Sequence, residues 1–200
     1  MSAATVTQTT PEVRQSSRPA GAKTFFSWAG LCILGIPIGG YLGNIVAGPV
    51  DGVTPALLGG VLTGAVVGFA QWLLLRRSLG VALGWIAATS LGLAVGLAVG
   101  AMVVAYETSR PQLMIMGAIC GAFVGIAQGI VLRDRFSLWS VWIVANPPAW
   151  ALGWLVSSYV ISRNIDERFP IFGASGVVVF ATITGLLLVA GIRGAKSVPA

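Results

Sequence analysis

Histidine is absent from this 200-residue chain, acidic residues number only six, and there are just two cysteines. With no histidine, and with Cys32 and Cys120 far apart in apolar stretches, a His/Cys metal cage is excluded and a disulfide framework has no support. Both cysteines read as small apolar packing residues. Charge is missing where it would matter most. No Asp, Glu, Lys or Arg lies deep in any of the long apolar runs. Proton relays, ion-coupled pumps and voltage sensors depend on such buried ionisable groups. Hydrolases and transferases need a base beside a nucleophilic Ser or Cys. No phosphate loop, dinucleotide fingerprint or metalloprotease motif occurs. The expectation is a protein with no catalytic residue, no metal and no enzymatic activity.

Apolarity and glycine are what the chain has. It is 56% hydrophobic and 9% charged, with a mean hydropathy of +0.89 and 27 glycines. A soluble domain carries about 25% charged residues to coat its core. Apolar runs of membrane-spanning length, able to cross a hydrocarbon layer of roughly 30 Å, recur from Phe25 almost to the C-terminus. The reading is an all-α integral membrane protein with six transmembrane helices, at about 25–47, 53–75, 79–106, 113–132, 137–162 and 171–192. Residues 1–24 form a polar, flexible N-terminal tail, and 193–200 a short basic tail. The N-terminal stretch is Ser-rich and acid-poor, which faintly fits a transit peptide, but its first apolar run is too long for a signal peptide.

The net charge of +6 does not imply nucleic acid, because the basic residues sit at the ends of apolar runs. Arg14, Arg18, Lys23, Arg76, Arg77, Arg133, Arg135, Arg193 and Lys196 fall on one side; Arg110, Arg163 and Arg168 fall on the other. Nine against three places both termini in the cytoplasm of a bacterial-type plasma membrane.

The chain also repeats itself. Gly64-Ala-Val-Val-Gly-Phe-Ala-Gln71-Trp-Leu-Leu-Leu-Arg76 returns 57 residues later as Gly121-Ala-Phe-Val-Gly-Ile-Ala-Gln128-Gly-Ile-Val-Leu-Arg133, with eight of thirteen positions identical. Trp28, Trp85 and Trp142 keep the same spacing. So do the small-residue stripes Gly35, Gly39, Gly43; Gly92, Gly96, Gly100; and Ala149, Gly153, Ser157. The even spans carry Gly60, Gly64, Gly68 and then Gly117, Gly121, Gly125; span 6 reads as a decayed copy through Ala174, Val178, Thr182 and Gly185. The unit is a two-helix hairpin used three times, over 25–77, 79–135 and 137–192. Its copies share one orientation, which predicts a pseudo-three-fold bundle. The stripes lie on one helix face and let backbones approach. Alternatively they line a crevice for a lipid tail, quinone or carotenoid.

Four polar or aromatic features are the candidates for function. Gln71 and Gln128 point into the bundle, for interhelical locking or for contact with a solute or headgroup. Asn146-Pro147-Pro148 stands where the earlier copies have Cys32-Ile-Leu and Thr89-Ser-Leu; its prolines deprive the carbonyls of Ile143 and Val144 of helical partners, as a packing kink or a ligand-facing break. Trp139, Trp142 and Tyr159 fit interfacial belts. Trp150 and Trp154 are placed to flank a pigment or a partner helix, or to face lipid.

The function these features favour is a non-catalytic accessory subunit, packed within a larger plasma-membrane complex. The alternatives are a facilitator for a small neutral solute or lipid, and a binder of carotenoid, quinone or isoprenoid lipid. The expected partners are the bilayer and other membrane proteins, with a homo-oligomer left open; no cofactor beyond such a bound lipid or pigment is expected.

Overall fold

Glycines that would weaken a helix in water are tolerated here because the apolar run leaves the backbone no better partner than itself. The computed structural model describes residues 18–160 and 169–195, and everything regular in them is helical. Six helices lie among the described residues: α1 (Arg18–Ala47), α2 (Val53–Ser78), α3 (Gly84–Val103), α4 (Arg110–Leu132), α5 (Trp139–Val160) and α6 (Phe169–Ala195). Five are long and apolar enough to cross a membrane. The exception is α5, whose Asn146, two prolines, four tryptophans and three serines dilute its apolar content.

Several helix bounds differ from the sequence expectation. α1 begins at Arg18, ahead of residue 25, and α6 runs on to Ala195. The third span, expected over 79–106, is shorter at both ends. α2 closes on a Leu79 N–H to Leu75 carbonyl bond, followed by Gly80 at φ +61°. α3 ends where Ala105 (φ 52°) and Tyr106 (φ 61°) turn left-handed. There the Tyr106 amide reaches back to the Ala101 carbonyl at 2.8 Å, satisfying an acceptor at the helix end. The expected connection over 162–170 falls mostly outside the described residues.

Each helix packs on its two neighbours in sequence, and α6 returns to α1, so the six form a closed ring. The glycine stripes govern how closely. A Cβ on Gly60 or Gly64 of α2 would stand 2.5 Å from the Ala94 or Ser90 Cα of α3. On Gly92 and Gly96 of α3 it would stand 2.9 and 2.8 Å from the Val124 and Cys120 Cα of α4. On Gly121 of α4 it would be 2.6 Å from the Asn146 carbonyl of α5. Gly39 and Gly43 of α1 meet Thr63 of α2, Gly68 meets Thr89, Gly100 meets Met116, Gly117 meets Trp150 and Trp154, and Gly125 meets Asn146. Gly35 is easier, at 3.3 Å from the Ala70 Cβ. Gly153 of α5 lies directly against Gly176 of α6. Around the ring, then, the small face of one helix lies on the next.

α6 departs from the expected register. Val178 is 53% exposed and Thr182 also faces outward. The buried face is instead Val177, Ala181, Thr184 and Leu188, each 2% exposed or less. Those positions lie 56, not 57, residues after Gly121, Gly125, Gln128 and Leu132. One residue rotates a helix by roughly 100°, so the 57-residue alignment puts Val178 and Thr182 on the wrong face, while Gly185 is buried against Phe25 and Trp28. Ala174 of the expected set has no described side chain.

Candidate functional site

The interior is organised around three indoles. Trp28 of α1, Trp85 of α3 and Trp142 of α5 are each 0% exposed. Trp142 meets both others edge-on, at 5.7 Å and 75° for Trp28 and 6.1 Å and 64° for Trp85. Phe136 adds a third edge contact to Trp142, at 6.1 Å and 89°. Edge-to-face pairs place the positive ring edge over the negative face, which adds to the gain from area burial. Trp142 was expected in an interfacial belt; the ring closure puts it on the inside. Trp139 and Tyr159 do reach the surface, and the Arg110 guanidinium lies 4.4 Å over the Tyr159 ring.

An indole N–H buried in such a place needs an acceptor. Each finds one on the even helix preceding it around the ring. Trp85 Nε1 donates to Gln71 Oε1 at 3.2 Å, Trp142 Nε1 to Gln128 Oε1 at 3.1 Å, and Trp28 Nε1 to Thr184 Oγ1 at 2.9 Å. The glutamines are themselves linked. Gln128 Nε2 donates to Gln71 Oε1 at 3.3 Å and to Thr89 Oγ1 at 3.0 Å. Gln71 Nε2 points at the Cys32 sulfur, 3.6 Å away. Thr89 in turn donates to the Trp85 carbonyl at 2.9 Å, and Thr184 to the Phe180 carbonyl at 2.7 Å. With Gln71 at 1% and Gln128 at 0% exposure, the amides are enclosed by protein and are not positioned to touch a headgroup.

The third sector is less complete. Asn146 occupies the place of Cys32 and Thr89, but the position 57 residues after Gln128 is Gly185, which has no side chain to offer. A Cβ there would already stand 3.1 Å from the Trp28 ring. Asn146 Nδ2 donates to the Trp142 carbonyl at 2.8 Å, while its Oδ1, fully buried, has no hydrogen-bond partner among the described residues. The helix runs on through Pro147 and Pro148. The freed Ile143 carbonyl lies against Gly125 of α4, and Val144 is 73% exposed.

Trp150 and Trp154 are turned inward rather than to lipid. The Trp150 ring packs edge-on against Phe180 of α6 at 5.4 Å, and Trp154 covers Gly117 of α4. The buried Trp150 Nε1 also lacks a hydrogen-bond partner among the described residues. It lines a cavity of about 30 Å³ with Ile36, Gly153, Trp154 and Phe180. That volume suits a water molecule, not a pigment. A larger cavity of about 300 Å³ opens beside the α1–α2 and α3–α4 connections, between Pro49, Asp51, Tyr106, Glu107 and Met116.

The structure therefore brings Gln71, Gln128 and Asn146 together around the tryptophans and sets Trp150 and Trp154 farther along α5. Cys32, Thr89 and Thr184 join this network beyond the candidates legible in the sequence. The 57-residue register already aligned Cys32 and Thr89 with Asn146, but Thr184 falls outside that register. No protein-family model, curated protein or solved structure matches this chain.

Proposed function

We propose that the chain is a non-catalytic, multi-pass membrane subunit that packs within a larger plasma-membrane complex. In this reading α5 also spans, giving six crossings from three tandem hairpins about a pseudo-three-fold axis, with both termini cytoplasmic. Support for the repeats comes from the matched indole–acceptor pairs Trp85–Gln71 and Trp142–Gln128, joined by Trp28–Thr184 across the α6–α1 closure. The one-residue slip of α6 belongs to the decayed third copy.

One observation carries the functional reading. The interior glutamines are spent on each other and on the indoles, at 0–1% exposure for Gln71 and Gln128, so they act as locks between helices. A solute path along the axis would have to displace three close-packed tryptophans, which weighs against the facilitator. The cavity beside Trp150 is too small for a carotenoid or quinone ring.

Gentle extraction in mild detergent, followed by affinity capture and mass spectrometry, tests this. A membrane protein recovered in fixed stoichiometry with this chain is the expected result. A chain that elutes alone at the mass of its own monomer or homo-oligomer overturns the reading.

A further inference from the structure

α1 and α2 are tightest near their connection, and the contact eases toward Gly35. A Cβ at Gly43 would stand 2.7 Å from Thr63 Oγ1, at Gly39 2.9 Å from the Thr63 carbonyl, and at Gly35 3.3 Å from the Ala70 Cβ. At Gly30, on another face of α1, it would meet nothing within 4 Å. Beside that face, at the basic end of α2, lies a groove of about 420 Å³ lined by Phe26, Ser27, Gly30, Leu74 and Arg77, among others. That volume is within the range of small-molecule sites.

Arg77 stands at the rim of the groove. Arg76 is committed to the Trp72 ring, 4.6 Å below its guanidinium. Arg77 is exposed and has no hydrogen bond, ion pair or ring contact among the described residues. Ser27 likewise has no side-chain hydrogen bond among them. At the equivalent end of α4, 57 residues on, Asp134 stands in place of Arg77 and pairs with Arg133 at 3.4 Å. The second hairpin thus lacks this unpaired arginine. From Gly30 the same face of α1 continues through Leu34, 62% exposed, and Ile38, 51% exposed, an apolar track running toward the middle of the helix.

We propose that this groove binds one anionic phospholipid. Its phosphate sits at the Arg77 guanidinium with the Ser27 hydroxyl as a second donor, and an acyl chain lies along Gly30, Leu34 and Ile38. An arginine at a helix end is suited to this, since its stem covers apolar surface while its head stays at the polar interface. The site rests on the membrane location of the bundle and is independent of any protein partner.

Native mass spectrometry of the detergent-purified full chain, titrated with dioleoyl-phosphatidylglycerol or dioleoyl-phosphatidylcholine, provides the test. One phosphatidylglycerol retained in preference to phosphatidylcholine is expected. Arg77→Gln should weaken phosphatidylglycerol binding about fivefold, the effect of removing one basic side chain near an anionic lipid, and leave phosphatidylcholine binding unchanged. Arg133→Gln should behave as the parent. Gly30→Leu fills the groove and should weaken both lipids. Equal retention of the two lipids, or an Arg77→Gln protein indistinguishable from the parent, overturns the proposal. So does displacement of the lipid by millimolar inorganic phosphate, which identifies a free-anion site instead.

Discussion

Gln128 donates its side-chain amide to the Gln71 oxygen at 3.3 Å, joining two residues 57 positions apart in the chain. Gln71 Oε1 also accepts from Trp85, and Gln128 Oε1 accepts from Trp142, so two amides hold α2, α3, α4 and α5 together. None of the four groups is in reach of solvent, and each depends on the others for its pairing.

Replacing either glutamine by leucine leaves an indole N–H without its acceptor. Gln71→Leu and Gln128→Leu should each destabilise the bundle by about 1–3 kcal/mol, the cost of a buried donor left unpaired. Because they share a bond, the double variant should lose less than the sum of the two. Reversible unfolding in mixed micelles measures all three. Strict additivity would show that the Gln71–Gln128 bond contributes nothing.

The close approaches predict a sharp contrast between glycines. Gly64→Ala and Gly121→Ala place a Cβ at 2.5 Å from the Ser90 Cα and 2.6 Å from the Asn146 carbonyl, so a helix must move. About 1–3 kcal/mol should be lost in each. Gly30→Ala meets nothing and should be neutral or slightly stabilising. Thermal melting of the three variants in one detergent separates packing from helix propensity.

Asn146→Thr should stabilise. Threonine at the corresponding position 89 donates its hydroxyl to the Trp85 carbonyl and accepts from Gln128, both within 3.0 Å. At 146 it would keep a donor for the Trp142 carbonyl and remove the unpartnered Oδ1, a gain of about 1 kcal/mol. A lower melting temperature would mean that Oδ1 has a partner the fold needs.

At the end of α3, Ala105 holds φ 52°, where a side chain costs roughly 1–2 kcal/mol and glycine costs nothing comparable. Ala105→Gly should therefore raise stability by up to about 1 kcal/mol, less the extra freedom glycine gains on unfolding. Equilibrium unfolding of this single variant decides it.

Much of the arrangement was legible in the residues. The apolar runs announce helices because a backbone in hydrocarbon must pair with itself, and the glycine stripes mark the faces that meet. The inward aim of Gln71 and Gln128 followed from their position three residues beyond Gly68 and Gly125. On α6, Val178 and Thr182 face outward while Gly185 is buried, because the 57-residue spacing that relates α2 to α4 does not carry over to the buried positions Val177, Ala181 and Thr184. Trp142 was read as interfacial, since tryptophan near a span end has two homes and sequence does not say which.

By itself the sequence determined the class, the number of helices, and the residues that permit close packing, since each depends on composition and local spacing. Only the tertiary structure decided which groups pair. Ring closure of α6 on α1 brings Trp28 to Thr184, 156 positions away, and the same closure seats three indoles against one another. Such pairings depend on helix rotation and depth, which are set by the sum of all six contacts at once. No single stretch of chain carries that information.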